Sequence, residues 1–177
     1  DSIFLGNGAG IGNLLKTEGE DLTHVYQATD FLVRGNLDDF ELPEDQRGLP
    51  FVGDDVVVVG GGDTSMDCVR TAVRQEAKSV KCLYRRDQKN MPGSQREVQN
   101  AIEEGVEFNW LTLPIEYIGN SKIEKTKVIK MQLGSPDESG RRSPEVITGS
   151  EENLESDLII EALGFEPENL PKIFSQK

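Results

Sequence analysis

The sequence predicts an α/β fold with a parallel central sheet, and three observations carry that prediction. The β-branched run Val56 to Val59 stops at three consecutive glycines, a pattern of helical period follows at once, and the strand-then-helix alternation repeats over the next fifty or so residues. Strands alternating with helices of this length read as βαβ units. The handedness of such crossovers places the strands parallel in one sheet with helices on its faces.

Element by element, the opening "DSIFLGNGAG" reads as a short buried strand from Ile3 to Leu5 running into glycines. A strand so near the start has no earlier element to complete its sheet, so the chain reads as a piece of a longer polypeptide. Residues 13 to 50 read as lead-in rather than core, with a short helix at "QATDFLVRG" and a surface loop at "LDDFELPEDQRGLP". The strand at 56–59 feeds a helix from about Thr64 to Glu76, with Met66, Val69 and Val73 on one face. "SVKCLY" (79–84) is the next strand. A helix from about Ser94 to Glu104 turns Val98, Ala101 and Ile102 inward, and "VEFNWL" (106–111) is the third strand. Beyond Pro114, the runs "IEYIG", "TKVIKMQLG" and "EVITG" read as a small antiparallel meander. "SDLIIEALG" (156–164) returns to the parallel sheet before the two prolines of "FEPENLP".

Composition excludes several functions. The 177 residues fall within one domain on a prior of roughly 100–200 residues per domain. A net charge of −13 argues against general nucleic-acid binding, which needs a broad basic face. No apolar run approaches the roughly 20 residues that span a bilayer, and the first residues do not resemble a signal peptide, so a cytoplasmic location is expected. Cys68 and Cys82, with no CxxC pair and no metal-ligand spacing, read as core thiols; neither a metal site nor an acid–base or nucleophilic constellation is legible. His24, the single histidine, reads as a surface or packing residue, and Trp110 as core.

The glycines define a candidate phosphate loop. In "VVGGGDTSMD" the spacing GxGxxS falls on Gly60, Gly62 and Ser65, with Gly61, Asp63 and Thr64 between them. The first glycine permits a tight turn, the second lets backbone approach a pyrophosphate, and a small third residue lets helix and strand pack closely. The helix that starts here aims unpaired N–H groups and about +0.5 charge at the anion. Asp63 is expected to turn away and cap backbone N–H groups; Thr64 with Asp67 is an alternative capping box. With the flanking strand and helix, the loop predicts a Rossmann-like nucleotide site.

The end of the second strand selects the nucleotide. An Asp or Glu there accepts from ribose hydroxyls, whereas a 2′-phosphate needs a cation. Here the strand ends "LYRRD", and from Lys81 to Arg96 five basic residues (Lys81, Arg85, Arg86, Lys89, Arg96) face one acid, Asp87, a net of +4 within a chain of −13. Charge-assisted hydrogen bonds contribute roughly 1.5–3 kcal/mol, so one arginine contact would favour NADPH over NADH by about tenfold to a hundredfold.

These residues also resemble a family. "VVVVGGGDTSMDCVRTAVRQ", "LYRRD", "NMPGSQREVQNAIEEGVEF" and "LIIEALGFEPE" are similar to the NADPH-binding domain of the small (beta) subunit of NADPH-dependent glutamate synthase and related two-dinucleotide-binding flavoproteins. "FLGNGAG" resembles the point where that family's FAD domain hands over to the NADPH domain. The resemblance implies three stretches: a lead-in or hinge from a flanking FAD domain (1–50), an NAD(P)H-binding Rossmann-like domain (51–165) and a return segment (166–177). It implies NADPH here, with FAD and iron–sulfur clusters only in the full-length protein. It also implies hydride transfer to that FAD, and a glutamate synthase large subunit or other electron acceptor as partner. Carried over by position, Gly60, Gly62 and Ser65 line the pyrophosphate, Arg85 and Arg86 hold the 2′-phosphate with Arg96 as a third cation, and Gly164 and Pro167, in "GFEP", resemble the segment that returns toward the flavin. Glu76 stands where the family usually has glycine at a helix end. A stand-alone nucleotide-binding or regulatory module is the alternative reading; a self-contained thioredoxin-reductase-like enzyme would need the missing CxxC.

Overall fold

The computed structural model describes the chain apart from residues 1, 3, 45, 46, 48–51, 139, 171–174, 176 and 177. In chain order its elements are β1 (Ile11–Gly12), β2 (Val25–Gln27), α1 (Ala28–Asn36), β3 (Asp55–Val59), α2 (Asp63–Arg74), β4 (Ser79–Tyr84), α3 (Gln95–Glu103) and β5 (Glu107–Trp110). The meander strands β6 (Thr112–Gly119), β7 (Ile123–Pro136), β8 (Arg142–Val146) and β9 (Glu152–Glu155) follow, then β10 (Leu158–Glu161) and β11 (Phe165–Glu166).

Five strands form a parallel sheet in the order β2-β10-β3-β4-β5. Val56 to Val59 are all buried, as a strand covered on both faces requires, and they split the core. Val56 and Val58 meet Met66, Val69, Val98 and Ala101 of the helices, while Val57 and Val59 meet Tyr117, Ile123 and Val128 of the meander. The expected α/β class with its small antiparallel meander is the observed one. β7 carries the meander, pairing with β6, β8 and β9.

The departures are local. Phe4 and Leu5 are 93% and 58% exposed and belong to no strand, so the expected buried strand at 3–5 does not form over its described residues; Ile3 lies outside them. The expectation that residues 13–50 stand apart from the core also fails for part of that stretch. β2 is an edge strand of the parallel sheet, and Phe31 of α1 is fully buried in the helix-side cluster. A three-residue strand without alternation carries too little pattern to be read locally; β10 pairs with it only after the chain has returned from the meander. The loop at 37–50 holds a 3-10 turn at Asp39–Glu41, and residues 45, 46 and 48–50 fall outside the described ones. On α3, Val98 and Ala101 are buried as expected, but Ile102 is 42% exposed, because the contact with α2 and the sheet centres on Val98 and Ala101. Arg70 of α2 bridges Glu97 and Glu104 at the two ends of α3 and fixes the helices side by side.

α2 and α3 end in the same way. After α3, Gly105 at φ 97° donates its N–H to Ile102 O while Val106 N–H reaches Ala101 O; after α2, Glu76 at φ 65° and Ala77 make the equivalent bonds to Val73 O and Ala72 O. Both are left-handed helix stops that favour glycine, and only one has it. Glu76→Gly should therefore stabilise the domain by about 0.5–1 kcal/mol, read as a rise in thermal or urea midpoint; an unchanged or lowered midpoint would refute the strain at this position.

Candidate nucleotide-binding site

At the C-terminal ends of β3, β4 and β10 lies a cleft of about 610 Å³. The chain leaves β3 toward β4 and β5 on one side and returns through β10 on the other. This reversal of strand order is the place where open α/β sheets bind ligands. Gly60, Gly61, Gly62 and Thr64 form one wall, Tyr84, Arg85 and Pro92 the next, Ala162 to Gly164 with Asn13 to Leu15 the far wall, and Thr112 to Pro114 close the rim.

The glycine loop is built by close approach. Gly60 has φ 145°, and a Cβ there would run into Ala162 O and come within 2.6 Å of Ser65 Oγ. A Cβ on Gly61 would strike the Tyr84 ring at 2.5 Å, whereas one on Gly62 would meet nothing within 4 Å. Space over Gly62 is therefore open on the cleft side. Gly62 is also the N-cap of α2 and, having no side chain, leaves the Asp63 and Thr64 N–H groups for an incoming acceptor, while the Ser65 N–H already donates to Gly62 O.

The residues singled out from the sequence divide accordingly. Gly60, Gly61, Gly62, Thr64, Arg85 and Gly164 line the cleft. Ser65 is fully buried behind the loop, its Oγ 3.5 Å from Ala162 O, where a small residue lets helix and strand close up. Asp63 does turn away, but it accepts the Ser94 N–H at 2.8 Å, at the start of α3 rather than of its own helix. The alternative capping box from Thr64 to Asp67 does not form, because α2 begins one residue earlier and its cap is Gly62. Arg86 stands beside the cleft. Its Nη2 donates to Asn90 Oδ1 at 2.9 Å, Asn90 is held in turn by Asp87, and Arg86 Nε is buried with no hydrogen-bond partner among the described residues. Arg96 is exposed on α3 and does not line the cleft.

The two cysteines, His24 and Trp110 lie around the site in packing roles. Cys68 and Cys82 are fully buried, and burial pushes both thiols up, that of Cys82 to about 12. His24 Nδ1 lies 3.1 Å from Asp157 O, a packing role. Trp110 packs at the core edge, stacked on Phe108 at 4.9 Å between ring centres. Among the described residues, no cluster of His, Cys, Asp or Glu could hold a metal, and no helix is long and apolar enough to cross a membrane.

A family model described as pyridine nucleotide-disulphide oxidoreductase matches residues 1–175. The chain belongs to that family. It is 50% identical, over 92% of its length, to the glutamate synthase (NADPH) small chain of Azospirillum brasilense, and 47% identical, over 96%, to that of Escherichia coli K12. It is 51% identical, over 98%, to a putative glutamate synthase (NADPH) small chain of Cereibacter sphaeroides. The chain spans only 34–42% of the length of these relatives. Among solved structures, FprA of Mycobacterium tuberculosis in complex with NADPH matches at TM-score 0.72 and 20% identity, covering 90% of this chain and 49% of that one. The thioredoxin reductase of T. acidophilum matches at TM-score 0.62 and 16% identity, covering 91% and 43%. At these identities the two likenesses show the fold alone.

Sequence reading named Gly164 of the far wall but passed over Asn13 to Leu15, which arrive from the lead-in with no local pattern to mark them. It also passed over Glu161, the last residue of β10, which is only 1% exposed. Glu161 Oε1 accepts from Tyr117 OH of β6 at 2.9 Å, and Oε2 from Gln27 Nε2 of β2 at 3.2 Å and Leu15 N–H at 3.4 Å. Burial, together with the Glu20 carboxyl beside it and against the Tyr117 bond, pushes the Glu161 carboxyl up to about 7. The folded protein therefore holds a proton there that the unfolded chain has released, and stability falls as pH rises from about 4.5 through 7. Wild type should lose on the order of 2–3 kcal/mol more than Glu161→Gln across that interval, measured by urea unfolding at pH 5 and pH 8. Parallel pH dependence in the two proteins would exclude this assignment.

Proposed function

We propose that this domain binds NADPH and presents it for hydride transfer to FAD held in a separate domain of the same polypeptide, as a part of a glutamate synthase small-chain-like oxidoreductase. The observation that carries the reading is the cleft itself, which joins an uncapped helix start and open space over Gly62 to Arg85 at the end of β4. These residues suit the cofactor: a pyrophosphate would take the first-turn N–H groups, and a 2′-phosphate would take Arg85. Arg86, with its unmatched buried Nε, supports a second cation at that end, and Arg96 could join only by swinging in from α3. When bound, NADPH supplies a hydride; the chain's own residues bind and orient it.

The connection to a flanking domain is supported by β1 and β11. They pair antiparallel, Ile11 with Glu166 and Gly12 with Phe165, so both links leave the sheet side by side. On this reading residues 1–50 lead in from the FAD domain, 51–165 bind NADPH and 166–177 return, although β2 of the lead-in joins the parallel sheet and α1 packs against it. Iron–sulfur clusters and a large subunit or another electron acceptor would belong to the full-length protein, in the cytoplasm. This chain alone, a donor site without its acceptor, would not turn over.

Titration with NADPH and NADH, followed by calorimetry or by fluorescence of Trp110, which pairs with Tyr84 across β4 and β5, tests the reading. NADPH should bind about tenfold or more tightly than NADH, and Arg85→Ala should erase the difference. Equal affinities in the wild type would dismiss NADPH as the cofactor. Gly62→Ala should fold normally yet weaken binding of both nucleotides, whereas Gly60→Ala should destabilise the domain by about 2 kcal/mol or more, because Ala162 O and Ser65 lie where its methyl would go. Tight binding by Gly62→Ala would place the pyrophosphate elsewhere.

A further inference from the structure

Glu161 lies outside the cleft yet gathers the segments that make the cleft's far wall. A buried carboxyl group is costly unless it is hydrogen-bonded, and a leucine would fill the end of a buried strand without that cost. Here three donors converge on it from three separate parts of the chain: Tyr117 in the meander, Gln27 in the edge strand and Leu15 in the lead-in. The residues that follow Glu161 are stitched to the same lead-in, because Asn13 N–H donates to Gly164 O at 3.0 Å and Asn13 Nδ2 to Leu163 O at 3.3 Å. On the other side, Ala162 N–H donates to Val59 O at 2.8 Å, next to the glycine loop. The wall formed by residues 13–15 and 162–164 is therefore anchored at Glu161.

That wall stands on β10, across β3 from β4 and its Arg85. A dinucleotide whose adenosine half lies over β4 extends its other half over β10. We propose that Glu161 is a positioning residue for the nicotinamide half of bound NADPH, holding the lead-in and the end of β10 in the one arrangement that receives it. The proposal rests on the cofactor reading above. It gives the two ends of the cleft separate determinants: a cation for the 2′-phosphate at β4, and a buried acceptor that shapes the wall at β10.

The test compares two ligands on the full-length protein. NADPH spans both halves of the site, whereas 2′,5′-ADP carries the adenosine half and its 2′-phosphate alone. Glu161→Ala should weaken NADPH about tenfold and slow flavin reduction at saturating NADPH, with the affinity for 2′,5′-ADP unchanged. Tyr117→Phe removes one of the three donors and spares the strand. It should shift NADPH in the same direction by about threefold, again without effect on 2′,5′-ADP, and it decides the matter if Glu161→Ala does not fold. Arg85→Ala should weaken both ligands. Equal weakening of the two ligands by the Glu161 and Tyr117 variants, or unchanged NADPH binding and flavin reduction, overturns the positioning role. Failure of the wild type to bind 2′,5′-ADP overturns the cofactor reading, and the proposal with it.

Discussion

Where β3 and β10 end side by side, their backbones come so close that the first residue of the turn can carry no side chain. Gly60 takes φ 145° directly against Ala162 O, and the Ala162 N–H closes the pair on Val59 O. The direction of α2 follows from that contact, because the chain can leave β3 at this angle only with a glycine there and a small Ser65 tucked behind it. The open helix start, the free surface over Gly62 and the cleft between the strand ends are consequences of the same approach. Packing density, more than any single bond, makes the arrangement intolerant of change.

The two ends of the cleft are held by different physics. At the β4 end the means is charge: Arg85 projects into the cleft from an exposed position, where water screens it until a ligand arrives, and Arg86 is oriented behind it by Asn90 and Asp87. At the β10 end the means is a desolvated hydrogen-bond acceptor, Glu161, whose donors lie up to 146 residues away from it in sequence. Arg85 is open to the cleft, whereas the buried acceptor touches only the segments that form and support the wall. The two ends of the cleft therefore differ in chemistry, an exposed cation at β4 and a wall fixed by a buried acceptor at β10.

Much of the fold was legible because its signals are local. Four β-branched residues before three glycines, then Met66, Val69 and Val73 at helical spacing, place β3, the turn and α2 within a residue or two, and the same holds for β4, α3 and β5. The cation cluster after β4 was equally plain, since charge needs no partner to be seen. What the residues did not announce were short or solitary features. β2 has three residues and no alternation, and Asn13 to Leu15 have no pattern at all; Glu161 reads as one more acid in a chain that holds 32 of them.

The amino-acid sequence by itself determined the α/β class, the glycine loop between strand and helix, the basic turn that follows β4 and the family to which the chain belongs. These depend on residue type and on spacings shorter than about twenty residues, which survive without knowledge of the rest of the molecule. Tertiary structure alone decided that the lead-in supplies an edge strand and a cleft wall, that Arg85 enters the cleft while Arg86 is held beside it, that Asp63 caps α3, and that Glu161 is buried at the meeting of three segments. Each of these joins residues far apart in the chain, and such contacts exist only once the sheet has closed around them.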